Sequence, residues 1–233
     1  MGELTTAHFW FAVVEIIIVN ILLSGDNAVV IALACRNLSP RQRRYGIFWG
    51  VLGAVVALIV LTLFAMTLLG YPWLRLVGAV LLLWIGVKLI AEDDGGDHKV
   101  KGSDRLLSAV WTVIVADVIM SLDNTVAVAA AANGNRLLIV LGLSVSIPVV
   151  ILGSQVIMQL IQRFPVLVFA GGGLLGYIAV QMGEEDPAIH PWVTAHLADI
   201  TDYVPIVGFV AVVTTGLFLV RKQRRAHARQ RSH

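Results

Sequence analysis

A succession of long apolar runs limits what this chain can become more than any other feature. Such runs occupy residues 9–35, 46–69, 72–91, 106–132, 137–158, 165–182 and 204–220. A helix needs about 17–25 apolar residues to cross a bilayer. Lipid offers no water to backbone amides and carbonyls, so each run must satisfy its own hydrogen bonds as a helix. The sequence therefore predicts an all-α polytopic membrane protein with seven transmembrane helices. With 58% of 233 residues hydrophobic and 14% charged, too little charge remains to clothe a water-soluble domain. The runs also leave few residues from which to build one.

The leader "MGELTTAH" carries Glu3 and no Lys or Arg, so the first run reads as a membrane span and not as a secretory signal. Cys35 is the sole cysteine and forms no internal disulfide. The tail, 221–233, is basic. Directly after a span it reads as an anchor on anionic lipid, and nucleic acid is not expected as a partner.

Cationic residues orient the chain. Arg36, Arg41, Arg43, Arg44, Lys88, Lys99, Lys101, Arg105, Arg163 and the tail fall on one side of a seven-span arrangement. Only Arg75 and Arg136 fall on the other, which leaves 15 of the 17 Lys and Arg residues together. Positive loops stay inside, so the N-terminus is expected outside the cell membrane and the C-terminus in the cytoplasm. The outer segment 183–203 has no Lys or Arg and is expected to be a solvated acidic loop.

Two stretches repeat. "NILLSGDNAVVIALA" (20–34) aligns without gaps on "DVIMSLDNTVAVAAA" (117–131) at an offset of 97, with Asp26 on Asp123 and Asn27 on Asn124. "YPWLRLVGAVLLLWIGVKLIAED" (71–93) aligns on "FPVLVFAGGGLLGYIAVQMGEED" (164–186) at an offset of 93. Residues 9–93 and 106–186 thus read as two three-span repeats, followed by one extra helix at 204–220 and the tail. Three is odd, so the second copy enters from the opposite face. Inverted repeats around a midplane site are a transporter arrangement.

Glu15, Asp26, Asp117 and Asp123 lie inside spans. A carboxylate at the bilayer centre costs about 2.5–3.5 kcal/mol on insertion scales. No Lys or Arg lies deep enough to pair simply with these four. They imply a polar cavity, or a cation that supplies the missing charge. Asp117 and Asn124, seven residues apart, share a helix face, whereas Asp26 and Asn27 point about 100° apart. Both members of such a pair face one ion only where the helix opens, and Ser24-Gly25 offers an opening. Helix capping by Asp and Asn after a break is the purely structural alternative. It does not account for Asp117 and Glu15.

Carboxylate and amide oxygens suit hard or borderline divalent cations such as Mg²⁺, Ca²⁺ and Mn²⁺. Met120 is the only soft atom beside a motif, and ordinary packing explains it. Gln155 and Gln159, four apart in the fifth span, fit a path lining or a bond between helices. No phosphate-cradling Gly-rich loop or Walker pattern is present, so ATP is not the expected energy source. No nucleophile or cofactor motif appears, and the chain is not expected to be an enzyme or to hold a cofactor.

The paired motifs, together with the arginine loop "LSPRQRRYGIFWG" (38–50), resemble the TerC family of integral membrane proteins, in particular its short YjbE-type branch without appended domains. The family is similar in architecture to the LysE-like exporters. The resemblance implies export of a divalent metal cation, manganese first. Proton exchange as the drive is the expectation from Asp26, Asp117 and Asp123, since membrane carboxylates bind either H⁺ or metal. Its acidic positions fall here on Asp26 and Asp123, with their neighbours Asn27 and Asn124, on Asp117, and less securely on Glu15. The alternatives are export of another cation such as Ca²⁺, or a non-transporting membrane partner in metal or envelope stress.

Overall fold

The computed structural model describes residues 13–14, 16–18, 25–68, 71–91, 102–132, 136–197 and 200–230. Among these the regular elements are helices: α1 (Gly25–Cys35), α2 (Pro40–Leu68), α3 (Leu74–Ala91), α4 (Gly102–Ala131), α5 (Arg136–Arg163), α6 (Val166–Glu184), α7 (His190–His196), a 3₁₀ turn (Thr201–Tyr203) and α8 (Val204–Gln230). Six are long and apolar enough to cross a membrane, and α1 supplies a shorter apolar helix. In each of the six, half or less of the most apolar window is buried. The outward faces carry Val60, Val80, Trp84, Val207 and Phe218, a surface that lipid accepts and water penalises. The chain is an all-α polytopic membrane protein.

Helix ends depart from the apolar runs for local reasons. Helix α2 starts at Pro40, ahead of the run at 46–69. The Ser39 hydroxyl accepts the Gln42 N–H at 3.5 Å and donates to the Gln42 side chain at 3.0 Å. A Ser cap, a Pro in the first helical position and a Gln at the third form a capping arrangement that outranks hydropathy. Helix α8 continues to Gln230 because Arg, Lys, Gln and Ala are good helix formers outside lipid as well.

One compact unit comprises Met1–Tyr71 with Val100–Leu160. In it α2 packs along α4, and α1 packs against both. Small residues allow the approach: a Cβ at Gly53 would lie 2.5 Å from Ile114 Cδ1. The buried face of α4 carries Val113, Ala116, Asp117, Met120, Ser121, Thr125 and Val128, the repeat of an amphipathic helix. Helix α4 runs without interruption through Asp123 and Asn124, so no opening occurs at the second motif. The first motif begins a helix at Gly25, and residues 19–24 before it lie outside the described residues.

The second unit comprises Pro72–Lys99 with Ile161–His233. Helix α6 packs against α3 and α8. Gly176 and Gly208 face each other so closely that a Cβ on either would collide with the other's carbonyl oxygen. The expectation of a solvated acidic loop at 183–203 holds for exposed Glu185, His190, His196 and Asp202, and fails for the short helix α7 and for Asp186. Asp186 is buried, and its carboxylate accepts N–H bonds from Trp73 at 2.9 Å, Leu76 at 3.0 Å and Ala188 at 2.8 Å. It thereby caps the start of α3 from 110 residues away, satisfying donors that the first turn leaves open. Burial pushes the Asp186 carboxyl up, yet the backbone donors together outweigh it and hold the group below the usual carboxylate range. Trp73 has φ 71°, a left-handed conformation that costs a non-glycine residue energy and that this cap holds. Arg75 ties the same corner: its Nη1 meets Glu185 Oε2 at 2.9 Å.

Candidate functional site

In the first unit three buried hydroxyls provide for themselves. Thr62 donates to Leu58 O at 2.7 Å, Thr125 to Leu122 O at 2.6 Å and Ser146 to Leu143 O at 2.7 Å. These are bonds to the preceding helical turn. Two side chains of other chemistry stand apart from that pattern.

Asn27 sits in the first turn of α1 and is 4% exposed. Its Oδ1 is buried and has no hydrogen-bond partner among the described residues. A buried acceptor left in that state costs about 1–3 kcal/mol. Asp117, on the buried face of α4, is 9% exposed. Its Oδ2 accepts from the Ser121 hydroxyl at 3.4 Å. That is long for a hydroxyl donor, and it leaves most of the carboxylate's acceptor capacity open.

Both residues line one small cavity of about 20 Å³. Val51, Ala54, Val55 and Leu58 of α2 and Val150 of α5 supply apolar walls. The space is close to what a single water-sized guest requires. Among the described residues no Lys or Arg contributes to the lining. Half-buried Asp26 adds a second carboxylate nearby: it interacts electrostatically with Asp117. One of its oxygens accepts the Asn27 N–H at 2.9 Å. Oxygen acceptors without a cation, inside an apolar wall, form a setting in which a bound cation lowers the electrostatic cost.

Of the six residues singled out in the sequence, the structure brings Asn27 and Asp117 to one cavity with Asp26 beside it. Asn124 is half-buried on α4 and already engaged. Asp123 lies on α4, and its side chain lies outside the described residues, as does Glu15. Among the described residues no three His, Cys, Asp or Glu side chains gather as a metal cluster. Met120 is buried but is not part of the cavity wall.

Reading the sequence missed Asp186 and the task of the arginine loop. Asp186-Pro187 is a turn signal after an apolar run, and it marks the place. Arg43 Nη2 donates to the carbonyls of Arg36 at 3.1 Å and Leu38 at 3.3 Å. It closes the chain reversal after α1, where carbonyls lack helical partners.

Comparison with known proteins adds the lineage. The integral membrane protein TerC family matches residues 5–226. The uncharacterised membrane protein YjbE of Bacillus subtilis (strain 168) is 37% identical over 210 residues, covering 90% of this chain and 95% of YjbE. From the same strain, the uncharacterised membrane proteins YceF and YkoY are 26% and 25% identical over 191 and 181 residues. Those matches cover 78% and 69% of this chain and 74% and 56% of the relatives. No solved structure matches the chain significantly. With a family match over nearly its whole length and a relative of similar size sharing over a third of its residues, the chain belongs to the TerC family of integral membrane proteins.

Proposed function

We propose that the chain is a secondary transporter that exports a divalent cation, manganese(II) first, in exchange for protons. The observation that carries this reading is that Asn27, whose Oδ1 is unpartnered, and Asp117 line one cavity with no Lys or Arg among the described residues of its wall. Asp26 supplies a further carboxylate. Asp123 and Asn124 join through the repeated motif, and Glu15 through its place in the first span. Oxygen donors of this kind suit Mn²⁺ and Ca²⁺ alike, so Ca²⁺ is the competing substrate. As in the LysE-like exporters that the family resembles, the architecture proposed is seven spans in two inverted repeats, 9–93 and 106–186. An extra helix at 204–220 and a basic cytoplasmic tail at 221–233 follow, with the N-terminus outside.

Moving a divalent cation outward against an inside-negative potential costs about 4.6 kcal/mol per 100 mV, twice the single-charge figure. Inward protons supply that drive, since membrane carboxylates bind either H⁺ or metal. The test is purified protein in liposomes loaded with Mn²⁺ or Ca²⁺ under an imposed pH gradient at clamped voltage. Metal should leave in the direction opposite to proton entry, and faster for Mn²⁺. Flux indifferent to the gradient removes proton coupling, and no flux of either metal removes transport.

A further inference from the structure

The cavity beside Asn27 and Asp117 is supplied with acceptors and short of donors. Asn27 Oδ1 is buried and has no partner among the described residues. Asp117 keeps most of its acceptor capacity after the long bond from Ser121. The other described wall residues are Ile31, Val51, Ala54, Val55, Leu58 and Val150, whose side chains hold no polar atom. Nearby donors are spent elsewhere. The Asn27 N–H goes to Asp26 Oδ1. Thr62, one turn beyond Leu58, gives its hydroxyl to Leu58 O, and Thr125, one turn beyond Ser121, gives its own to Leu122 O. Both cavity residues are buried, so bulk solvent does not make up the deficit.

We infer that the cavity binds one ordered water, which donates one hydrogen to Asn27 Oδ1 and the other to the Asp117 carboxylate. The volume, about 20 Å³, exceeds the roughly 10–15 Å³ that a single water needs. A buried water also needs at least two polar partners, and a cavity walled by hydrocarbon alone stays dry. Asn27 on α1 and Asp117 on α4 supply that pair. Water is the small neutral guest that brings two donors at once, and so it answers both acceptors. Such a bridge is nearly as favourable as a direct bond, and it joins α1 to α4 through the cavity. The water occupies the same oxygens that a metal would take. Metal binding therefore displaces it, a step that rests on the proposed cation site.

The test is X-ray hydroxyl-radical footprinting of the full chain in liposomes, read by mass spectrometry. Radicals form from water, so a side chain shut off from solvent is oxidised where a bound water touches it. Ile31 and Leu58 are buried in the cavity wall, and Leu33 is equally buried outside it. Ile31 and Leu58 should be oxidised several-fold more than Leu33, and Asn27→Leu should return both to the level of Leu33. The comparison within the native chain needs no variant, so a folding defect in Asn27→Leu does not hide the result. Oxidation no greater than that of Leu33, or unchanged in Asn27→Leu, overturns the inference. Adding Mn²⁺, with exposed Phe218 as internal standard, should suppress oxidation at Ile31 and Leu58. Oxidation of these two that persists with Mn²⁺ overturns the displacement and the cavity's role as the cation site, while the water site stands.

Discussion

Asn27 and Asp117 stand 90 residues apart in the chain and line the same cavity. One offers a buried carbonyl oxygen without a partner, the other a carboxylate held only by a long bond from Ser121. The proposed cation site rests on this pair.

Charge at this cavity should matter more than shape. Asp117→Asn, Asp26→Asn and Asp123→Asn keep the side-chain outline and remove the carboxylate. Each is expected to lower metal export at least tenfold, with normal or raised membrane abundance, since Asn is cheaper to bury. The double variant Asp26→Asn with Asp117→Asn should be no worse than either alone, because effects within one unit are not additive. Metal retained by cells lacking other exporters, normalised to inserted protein, provides the measurement. Full export by the single variants would remove the ion-site role from all three and leave Asp26 with helix capping, a role Asn fills equally well.

Asn27→Leu should separate stability from function. Removing an unpartnered buried acceptor relieves about 1–3 kcal/mol, so the detergent-solubilised variant should melt at the same temperature or higher. The rise in melting temperature on adding Mn²⁺, which reports binding to the folded state, should vanish. A lower melting point with the metal response intact would mean that Asn27 is structural.

Asp186 should be the strongest tie in its unit. Asp186→Ala strips a cap from α3 and leaves the part-buried N–H groups at Trp73 and Leu76 without their acceptor, at a cost of about 1–3 kcal/mol. Arg75→Ala breaks a surface ion pair whose Glu185 side is 46% exposed, worth under about 1 kcal/mol. The Asp186 carboxyl is more acidic in the fold than in the unfolded chain. Its contribution is therefore present above about pH 4, the unfolded value, and is lost as pH falls through the lower folded value. Thermal melting from pH 7 down to pH 3 should drop more steeply for the native chain than for Asp186→Asn.

Glycine substitutions should split by place. Gly176→Ala or Gly208→Ala sets a methyl group against the opposite helix's backbone. Helices α6 and α8 must then separate, so each variant should lose most of its folded yield in detergent. Gly153→Ala meets no atom within 4 Å and should be neutral or slightly stabilising. Size-exclusion yield after mild heating measures both.

The proposed orientation predicts labelling. Cys35 is buried and so is a poor probe of sidedness. In a Cys35→Ser background, His190→Cys should react with an impermeant thiol reagent on intact cells and Arg41→Cys should not. Both positions are exposed in the fold, so the reversed pattern would invert the proposed topology.

The sequence by itself determined the class of the protein. Apolar runs are local and additive, and lipid forces each into a helix. The six membrane-length helices accordingly overlap the runs beginning at 46, 72, 106, 137, 165 and 204. It also singled out Asn27 and Asp117 as costly residues, because a polar group in an apolar run stands out wherever it faces. Their neighbours were decided only by packing. That Asn27 and Asp117 share a cavity, that Gln155 and Gln159 turn away from it, and that Asp186 caps a helix starting at Leu74 all depend on how helices are rotated and stacked. One residue of rotation moves a side chain by about 100°, and hydropathy carries no record of that phase. The helix ends followed caps and intrinsic propensity, which act wherever Ser39 or an Arg-rich tail occurs, inside the apolar run or beyond it.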